Sequence, residues 1–133
     1  MLTKTLSFSF VLVSALALTG CTDPIVGSWE ATEKNACSER SDFDVDDDLL
    51  VKGDIWFEDA ANQVCFKCKF DGEFDDPEDN KYQGEVDLED ACSCNGETNF
   101  DAECKMNDDE TELDCEINLD ECGTYQDDFE KQE

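Results

Sequence analysis

Apolar and polar residues alternate along most of the chain, which is the pattern of β-strands with one buried face. Between residues 49 and 57 the predicted inward row is odd-numbered, with Trp56 on the opposite face, and between 64 and 74 the inward row is even-numbered. No apolar period of 3.6 persists over three turns, so we expect little or no helix. Glu130 to Glu133 are expected to fray. The predicted strands are 25–31, 49–57, 64–74, 82–88, 100–106, 113–119 and 123–129.

Short turns between successive strands predict an all-β fold, a meander of seven or eight antiparallel strands that forms a small barrel. A two-sheet β-sandwich is the alternative, because alternation alone does not distinguish closure from stacking. In the first long hairpin, pairing Phe57 with Val64 and Ile55 with Phe66 brings both apolar rows to one side.

In the last long hairpin, residues 100–119, the alternation of apolar and polar residues predicts which residues pair across the two strands. If Met106 faces Leu113, inward residues meet inward residues along both strands, and Cys104 lies opposite Cys115. Directly opposed, non-hydrogen-bonded residues have Cα atoms about 4.5 Å apart, which is within disulfide reach. We therefore predict a bridge between these two cysteines, with Cys94–Cys104 and Cys115–Cys122 as the competing pairings.

Residues 32–48 are predicted to form an irregular acidic connection. Their last part has the alternating aspartates of a calcium loop, but Asp47 occupies the position that needs glycine, and Gly53 the position that needs glutamate. The segment is therefore not an EF-hand. A looser divalent-cation site and a solvated acidic loop are the two interpretations. The candidate ligands are Asp42, Asp44, Asp46 and Asp48.

The chain opens with a positive charge and then an uncharged apolar run, residues 6–18, which ends at Leu18-Thr19-Gly20-Cys21. This arrangement resembles the signal peptide and lipobox of bacterial lipoproteins. The run is too short for a comfortable membrane span.

The resemblance implies that residues 1–20 are removed and that Cys21 becomes the N-terminus. It would carry a thioether-linked diacylglycerol and an amide-linked acyl chain, which together anchor a protein stably. Residues 21–24 would then be a short tether and 25–133 a single domain. Thr22 follows the lipidated cysteine where an aspartate would retain the protein at the inner membrane, which implies the outer membrane.

Gly27-Ser28-Trp29 resembles the Gly-x-Trp that opens the first strand of lipocalin-like domains. In that family the tryptophan packs across the closed end of the barrel, and small apolar ligands bind in the mouth. An ordinary core tryptophan and a barrel filled by its own side chains are the alternatives. The residues that would line such a cavity are Trp29, Phe66, Phe70, Tyr82, Val86 and Tyr125.

The charge is extreme. The whole chain has nine Lys+Arg and 37 Asp+Glu, and removing residues 1–20 takes away Lys4 alone, which changes the formal charge from −28 to −29. Such a chain is repelled by nucleic-acid phosphates and by anionic headgroups, so we expect no nucleic-acid partner. Membrane attachment must then come from the lipid.

Besides Cys21 the chain has eight cysteines, an even number, which in an exported protein predicts four disulfides. A zinc site using Cys65 with Cys68, and Cys92 with Cys94, is the alternative. The absence of histidine and the oxidising compartment disfavour it. The eight are Cys37, Cys65, Cys68, Cys92, Cys94, Cys104, Cys115 and Cys122.

Catalytic chemistry has little support. There is no histidine for a triad, no glycine-rich phosphate loop and no basic patch, and no organic cofactor is implied. We therefore expect a non-enzymatic envelope lipoprotein with a structural or interaction role, whose acidic shell binds cations or excludes polyanions. Binding of a small apolar ligand in the barrel is the second hypothesis, and no protein partner is indicated.

Overall fold

The computed structural model describes residues 23–35, 38–59 and 64–132. Eight antiparallel strands follow one another in sequence order and form a closed barrel. This confirms the predicted all-β barrel and excludes the sandwich. The strands are β1 (Gly27–Ala31), β2 (Asp42–Val45), β3 (Leu50–Asp59), β4 (Val64–Phe74), β5 (Lys81–Leu88), β6 (Asn99–Met106), β7 (Glu112–Asn118) and β8 (Thr124–Lys131).

Helix is confined, within the described ranges, to two single 3₁₀ turns, Asp90–Cys92 and Asp120–Cys122. In that part of the chain, no helix has the length and apolar character needed to cross a bilayer.

Two predicted boundaries are wrong. Asp42–Val45 lies in the predicted irregular connection but forms β2, in which exposed Asp42 and Asp44 alternate with buried Phe43 and Val45. At the other end, β8 continues to Lys131, which pairs with Trp29 of β1, so the expected fraying does not begin at Glu130. Pairing with β1 supplies the partner that extends β8.

The register of the β3–β4 hairpin also differs from the prediction. Phe57 faces Phe66 and Ile55 faces Cys68, two residues away from the predicted pairing. The inward rows are unchanged, because a slip of two residues preserves the side of the sheet to which each side chain points.

The outer part of this hairpin extends beyond its neighbours. β2 pairs with β3 only as far as Asp54, and β5 pairs with β4 only as far as Phe70. Val64 and Phe66, predicted to point inwards, are consequently 52% and 40% exposed.

The barrel core is built from the predicted inward rows and from Phe43 and Val45 of β2, and Trp29 is among its most buried residues. Its indole is 1% exposed, and its N–H donates to the carbonyl oxygen of Ile25 at 2.8 Å. Phe43 of β2 lies with its ring centroid 4.8 Å from that of Phe129 on β8, in an edge-to-face contact. These rings join the first two strands to the last.

Close backbone approach fixes a glycine in β5. A Cβ atom on Gly84 would lie 1.9 Å from the carbonyl oxygen of Glu73 in β4. Only glycine allows the two strands to come this close.

Three disulfides join described residues: Cys68–Cys92, Cys94–Cys122 and Cys104–Cys115. The predicted bridge between β6 and β7 is confirmed, with Cα atoms 4.0 Å apart, and both competing pairings are wrong. Cys65 is also disulfide-bonded, so the zinc alternative is not supported. The eighth predicted cysteine, Cys37, lies outside the described residues.

The barrel has two distinct ends. The segment before β1 and the turns 46–49, 75–80 and 107–111 lie at one end, called here the N-terminal end. The connections 89–98 and 119–123 lie at the opposite end, where Cys68–Cys92 and Cys94–Cys122 hold them, and this is called the bridged end.

Replacing Gly84 with alanine is expected to destabilise the barrel by several kcal/mol, because the strands must separate to admit the methyl group. Gly96→Ala is the control: Gly96 has φ of +85° and open space around its Cβ position. There we expect a loss of only about 1 kcal/mol from the left-handed backbone. Urea unfolding measures both, and equal losses would contradict the close approach.

Candidate functional site

The interior of the barrel is filled. The remaining internal void is about 30 Å³, and aromatic and aliphatic side chains line it, among them Phe43, Phe70, Val86 and Tyr125. This is roughly the share of liquid volume of one water molecule. Among the described residues, this pocket is far smaller than the several hundred Å³ that a small-molecule ligand needs.

The six candidate ligand-lining residues are distributed over three places. Phe70, Val86 and Tyr125 line the void. Trp29 and Tyr82 are buried, and Tyr82 reaches the N-terminal end, where its hydroxyl hydrogen-bonds the carboxylate of Asp23. Phe66 lies on the projecting hairpin, where its ring stacks on Phe57 with centroids 5.6 Å apart.

A polar network lies near the bridged end of the lumen. The hydroxyl of Ser41, which is 2% exposed, accepts a hydrogen bond from the backbone N–H of Trp56 at 2.9 Å. The Tyr125 hydroxyl lies 2.7 Å from the same oxygen and 3.1 Å from Oδ2 of Asp127. Ser41 thus connects β3 and β8 at the bridged end of the core.

Burial raises the pKa of both ionisable groups in this network, Tyr125 and Asp127. The phenol therefore keeps its proton at neutral pH and acts as a hydrogen-bond donor rather than a base. No activated nucleophile adjoins it among the residues described. The network fits a role in holding the strands together.

The four candidate cation ligands do not converge. Asp42 and Asp44 lie exposed on β2, whereas Asp46 caps the following turn and accepts N–H groups from Asp48 and Leu50 at 2.9 and 3.0 Å. In the described part of the chain, one group of three potential ligand atoms lies within 4.8 Å, that of Cys68, Glu89 and Cys92. Its two sulfurs are joined in a disulfide, which removes them as thiolate ligands.

A second concave feature lies outside the barrel. An open concavity of about 1110 Å³ extends over the outer faces of β2 to β7, where one cation, Lys52, lies among ten acidic residues. We call this surface the acidic face. Its acidic residues are Asp44, Asp46, Asp71, Glu73, Asp75, Glu85, Asp87, Asp101, Glu103 and Glu116.

Strand register places many acids directly opposite one another on the outside of the barrel. Opposed like charges destabilise a sheet, and each such pair costs up to about 1 kcal/mol. On the acidic face Glu85 of β5 is opposed on both sides, by Glu73 and by Asp101. The other acid pairs are Asp71–Asp87, Glu103–Glu116, Asp114–Asp128, Glu112–Glu130, Glu30–Glu130, Glu30–Asp42 and Asp42–Asp54.

Bases compensate few of these contacts. The ion pairs between described residues are Lys81–Glu103 at 2.6 Å and Arg40–Glu30 at 3.3 Å. The alternation along each strand predicts which acids point outwards. It does not predict which acids face each other, because cross-strand pairing depends on the register of every hairpin.

Asp42 experiences this crowding most clearly. Although the residue is exposed as a whole, partial desolvation of its carboxyl and then the neighbouring carboxylates of Asp54, Asp44 and Glu30 raise its pKa, and Lys67 lowers it by a smaller amount. Protonation of Asp42 therefore relieves both its desolvation and its repulsion.

Comparison with protein-family models, with curated proteins and with solved structures finds no match for this chain.

Replacing Glu85 with lysine should stabilise the barrel by about 1 kcal/mol, because two like-charge cross-strand pairs become opposite-charge pairs. The matched control is Asp109→Lys, the same charge change in an exposed turn with no strand partner. Urea unfolding at low ionic strength should show the larger gain for Glu85→Lys, and added sodium chloride should shrink it. Equal gains would show that only net charge matters.

Stability should rise as the pH falls from 7 towards 4, in part through Asp42. Its folded pKa lies above the model-compound value of 3.8, so the folded state takes up this proton at a higher pH than the unfolded chain does. The gain accrues as the pH falls through the folded pKa and is complete below the unfolded value.

Asp42→Asn should reduce that pH dependence, measured by urea unfolding across the range, whereas Asp108→Asn in an exposed turn should leave it close to that of the unmodified protein. Identical pH profiles for Asp42→Asn and the unmodified protein would contradict the assignment.

Proposed function

We propose that this chain is an exported lipoprotein of the bacterial cell envelope, anchored through Cys21 and located at the outer membrane. The observation that carries the proposal is the placement of the lipobox-like Leu18-Thr19-Gly20-Cys21 directly before the folded domain. The first strand, β1, begins at Gly27, six residues after the cysteine. Cleavage before Cys21 would therefore leave every described strand intact.

The disulfides support export. Three bridges between described residues and a disulfide-bonded Cys65 require an oxidising compartment, which the cytoplasm of most bacteria is not. Lipidation uses the thiol of Cys21 and so leaves eight cysteines for pairing.

The role of the domain is structural or interactive rather than catalytic. The whole chain has no histidine, and the buried Tyr125 network keeps its phenol protonated. A void of about 30 Å³ favours this role over carriage of an apolar ligand, for which lipid-sized cavities of several hundred Å³ are needed.

We expect the acidic face to determine which charged molecules the domain attracts and which it repels. Ten carboxylates around one lysine produce a negative potential that repels polyanions and attracts cations or cationic segments. In the envelope such a surface would keep the protein apart from nucleic acid and from anionic lipid, and it would take part in interactions that weaken with salt.

Cys21→Ala should abolish lipidation and leave an unprocessed or soluble form, because no other segment of the proposed mature chain offers an anchor. Metabolic labelling with a fatty-acid analogue, followed by fractionation and protease shaving, measures this. Labelling that persists in the variant would contradict the proposal. Thr22→Asp keeps the lipid and, in a host with aspartate-based sorting, should move the protein to the inner membrane.

Disulfide mapping of the purified, unmodified protein gives an independent test of lipidation at Cys21. If the Cys21 thiol carries a lipid, non-reduced peptides containing Cys65 should be recovered with Cys37. Recovery of Cys65 linked to Cys21 would exclude lipidation at that thiol.

A further inference from the structure

We infer that the barrel stands on the membrane with its N-terminal end against the lipid headgroups and its bridged end facing away. The inference rests on the proposed lipidation of Cys21 and adds to it an orientation and a membrane-facing surface. It follows from how the first described residues are attached to the barrel.

The segment before β1 is fixed at several points. Ile25 is fully buried, and its carbonyl oxygen accepts the Trp29 indole N–H. The carboxylate of Asp23 accepts a hydrogen bond from the Tyr82 hydroxyl on β5. Lys131 of β8 donates to the carbonyl oxygen of Pro24 at 2.7 Å. Asp23 therefore has a defined position on the barrel.

The distance from Asp23 to the anchor is short. Two residue steps separate Asp23 from Cys21, and a fully extended chain covers at most about 7 Å in two steps. By comparison, the eleven residues of β4 correspond to a strand of about 36 Å. A tether this short keeps the acyl chains next to the N-terminal end. With that end against the headgroups, the bridged end is the part of the barrel farthest from the bilayer.

The surface that meets the headgroups is formed by three exposed turns of the N-terminal end, 46–49, 75–80 and 107–111. They contain ten acids and no base. Anionic headgroups would repel this surface, so the lipid that fits it is zwitterionic, with its ammonium group outermost. The two features are independent, because the tether places the N-terminal end at the bilayer and the turns define the preferred headgroup.

The orientation also selects the surface available to partners. Val64 and Phe66 of the projecting hairpin lie at the far end, beside the disulfide-linked connections. In this orientation, these exposed apolar side chains face away from the bilayer and are accessible to a partner in the adjoining compartment.

Paramagnetic relaxation in lipid nanodiscs tests the orientation without altering the barrel. The isotope-labelled lipoprotein is placed in zwitterionic nanodiscs doped with a gadolinium-chelating lipid, after mass spectrometry has shown the acyl chains on Cys21. Relaxation enhancement falls with the sixth power of distance. The two ends are separated by about the length of a barrel strand, so broadening should be at least about tenfold stronger at the N-terminal end than at the bridged end.

Amides of Asp47, Asp79 and Asp109 should broaden, whereas those of Phe66, Asn95 and Glu121 should not. Equal broadening at both ends, or stronger broadening at the bridged end, would overturn the orientation. The unlipidated Cys21→Ala domain with the same nanodiscs is the control and should show no broadening at either end.

A second variant separates the tether from the surface. Inserting twelve Gly and Ser residues between Thr22 and Asp23 adds a flexible spacer of about 20 Å, which should level the broadening at the two ends. An unchanged difference would show that the tether does not set the orientation. Absence of acyl mass on Cys21 is a separate result, which contradicts the proposed function itself.

Discussion

The seam between β1 and β8 closes the barrel, and the rest of the structure depends on it. It consists of three residue pairs, one of which opposes Glu30 to Glu130. Strand pairing alone is therefore a weak closure, and aromatic packing reinforces it from inside. Trp29 is buried beneath the seam, and the ammonium of Lys131 lies 5.7 Å from its ring centroid. A cation over an aromatic face is attracted to it, so the last pair of the seam is held by its side chains.

Repulsion is the force that this closure must resist. Acids oppose acids around most of the outer surface, and a chain of this charge gains stability from burying apolar area while losing it to self-repulsion. Two of the disulfides between described residues lie where strand pairing is sparse, whereas Cys104–Cys115 lies within the β6–β7 ladder. Cys68–Cys92 joins the projecting part of β4 to the connection after β5, and Cys94–Cys122 joins two connections that share no strand pairing. At the bridged end, where the strand pairing around β3 and β4 ends, disulfides rather than backbone hydrogen bonds join the connections.

The parts predicted from sequence are those in which parity and chemistry agree. The β6–β7 hairpin combined an unbroken alternation with one cysteine on each strand, so its register and its bridge both followed. The β3–β4 hairpin had only alternation, and a slip of two residues keeps every side chain on its face. Turn length decided that register, and the apolar pattern carries no information about turn length.

Other parts of the structure could not be predicted from the sequence, either because a strand is very short or because the feature depends on how the barrel closes. β2 has four residues, and its two apolar positions lie among aspartates that dominate the local composition. Whether Phe70 and Val86 fill a lumen or line a cavity depends on how tightly the strands coil, which is set by contacts such as that between Gly84 and Glu73. The acidic face was visible as composition, but its opposed pairs required the complete set of registers.

The pairing of the first strand with the last also constrains when the domain can finish folding. Every other pairing in the barrel, including that of β1 with β2, joins strands that follow one another in sequence, and the disulfides between described residues span 11 to 28 positions, so these elements can assemble as successive segments emerge. The second edge of β1 must wait for β8. If the chain is exported from its N-terminus as proposed, closure follows translocation of about a hundred further residues, and the acidic strands form an open sheet during that interval.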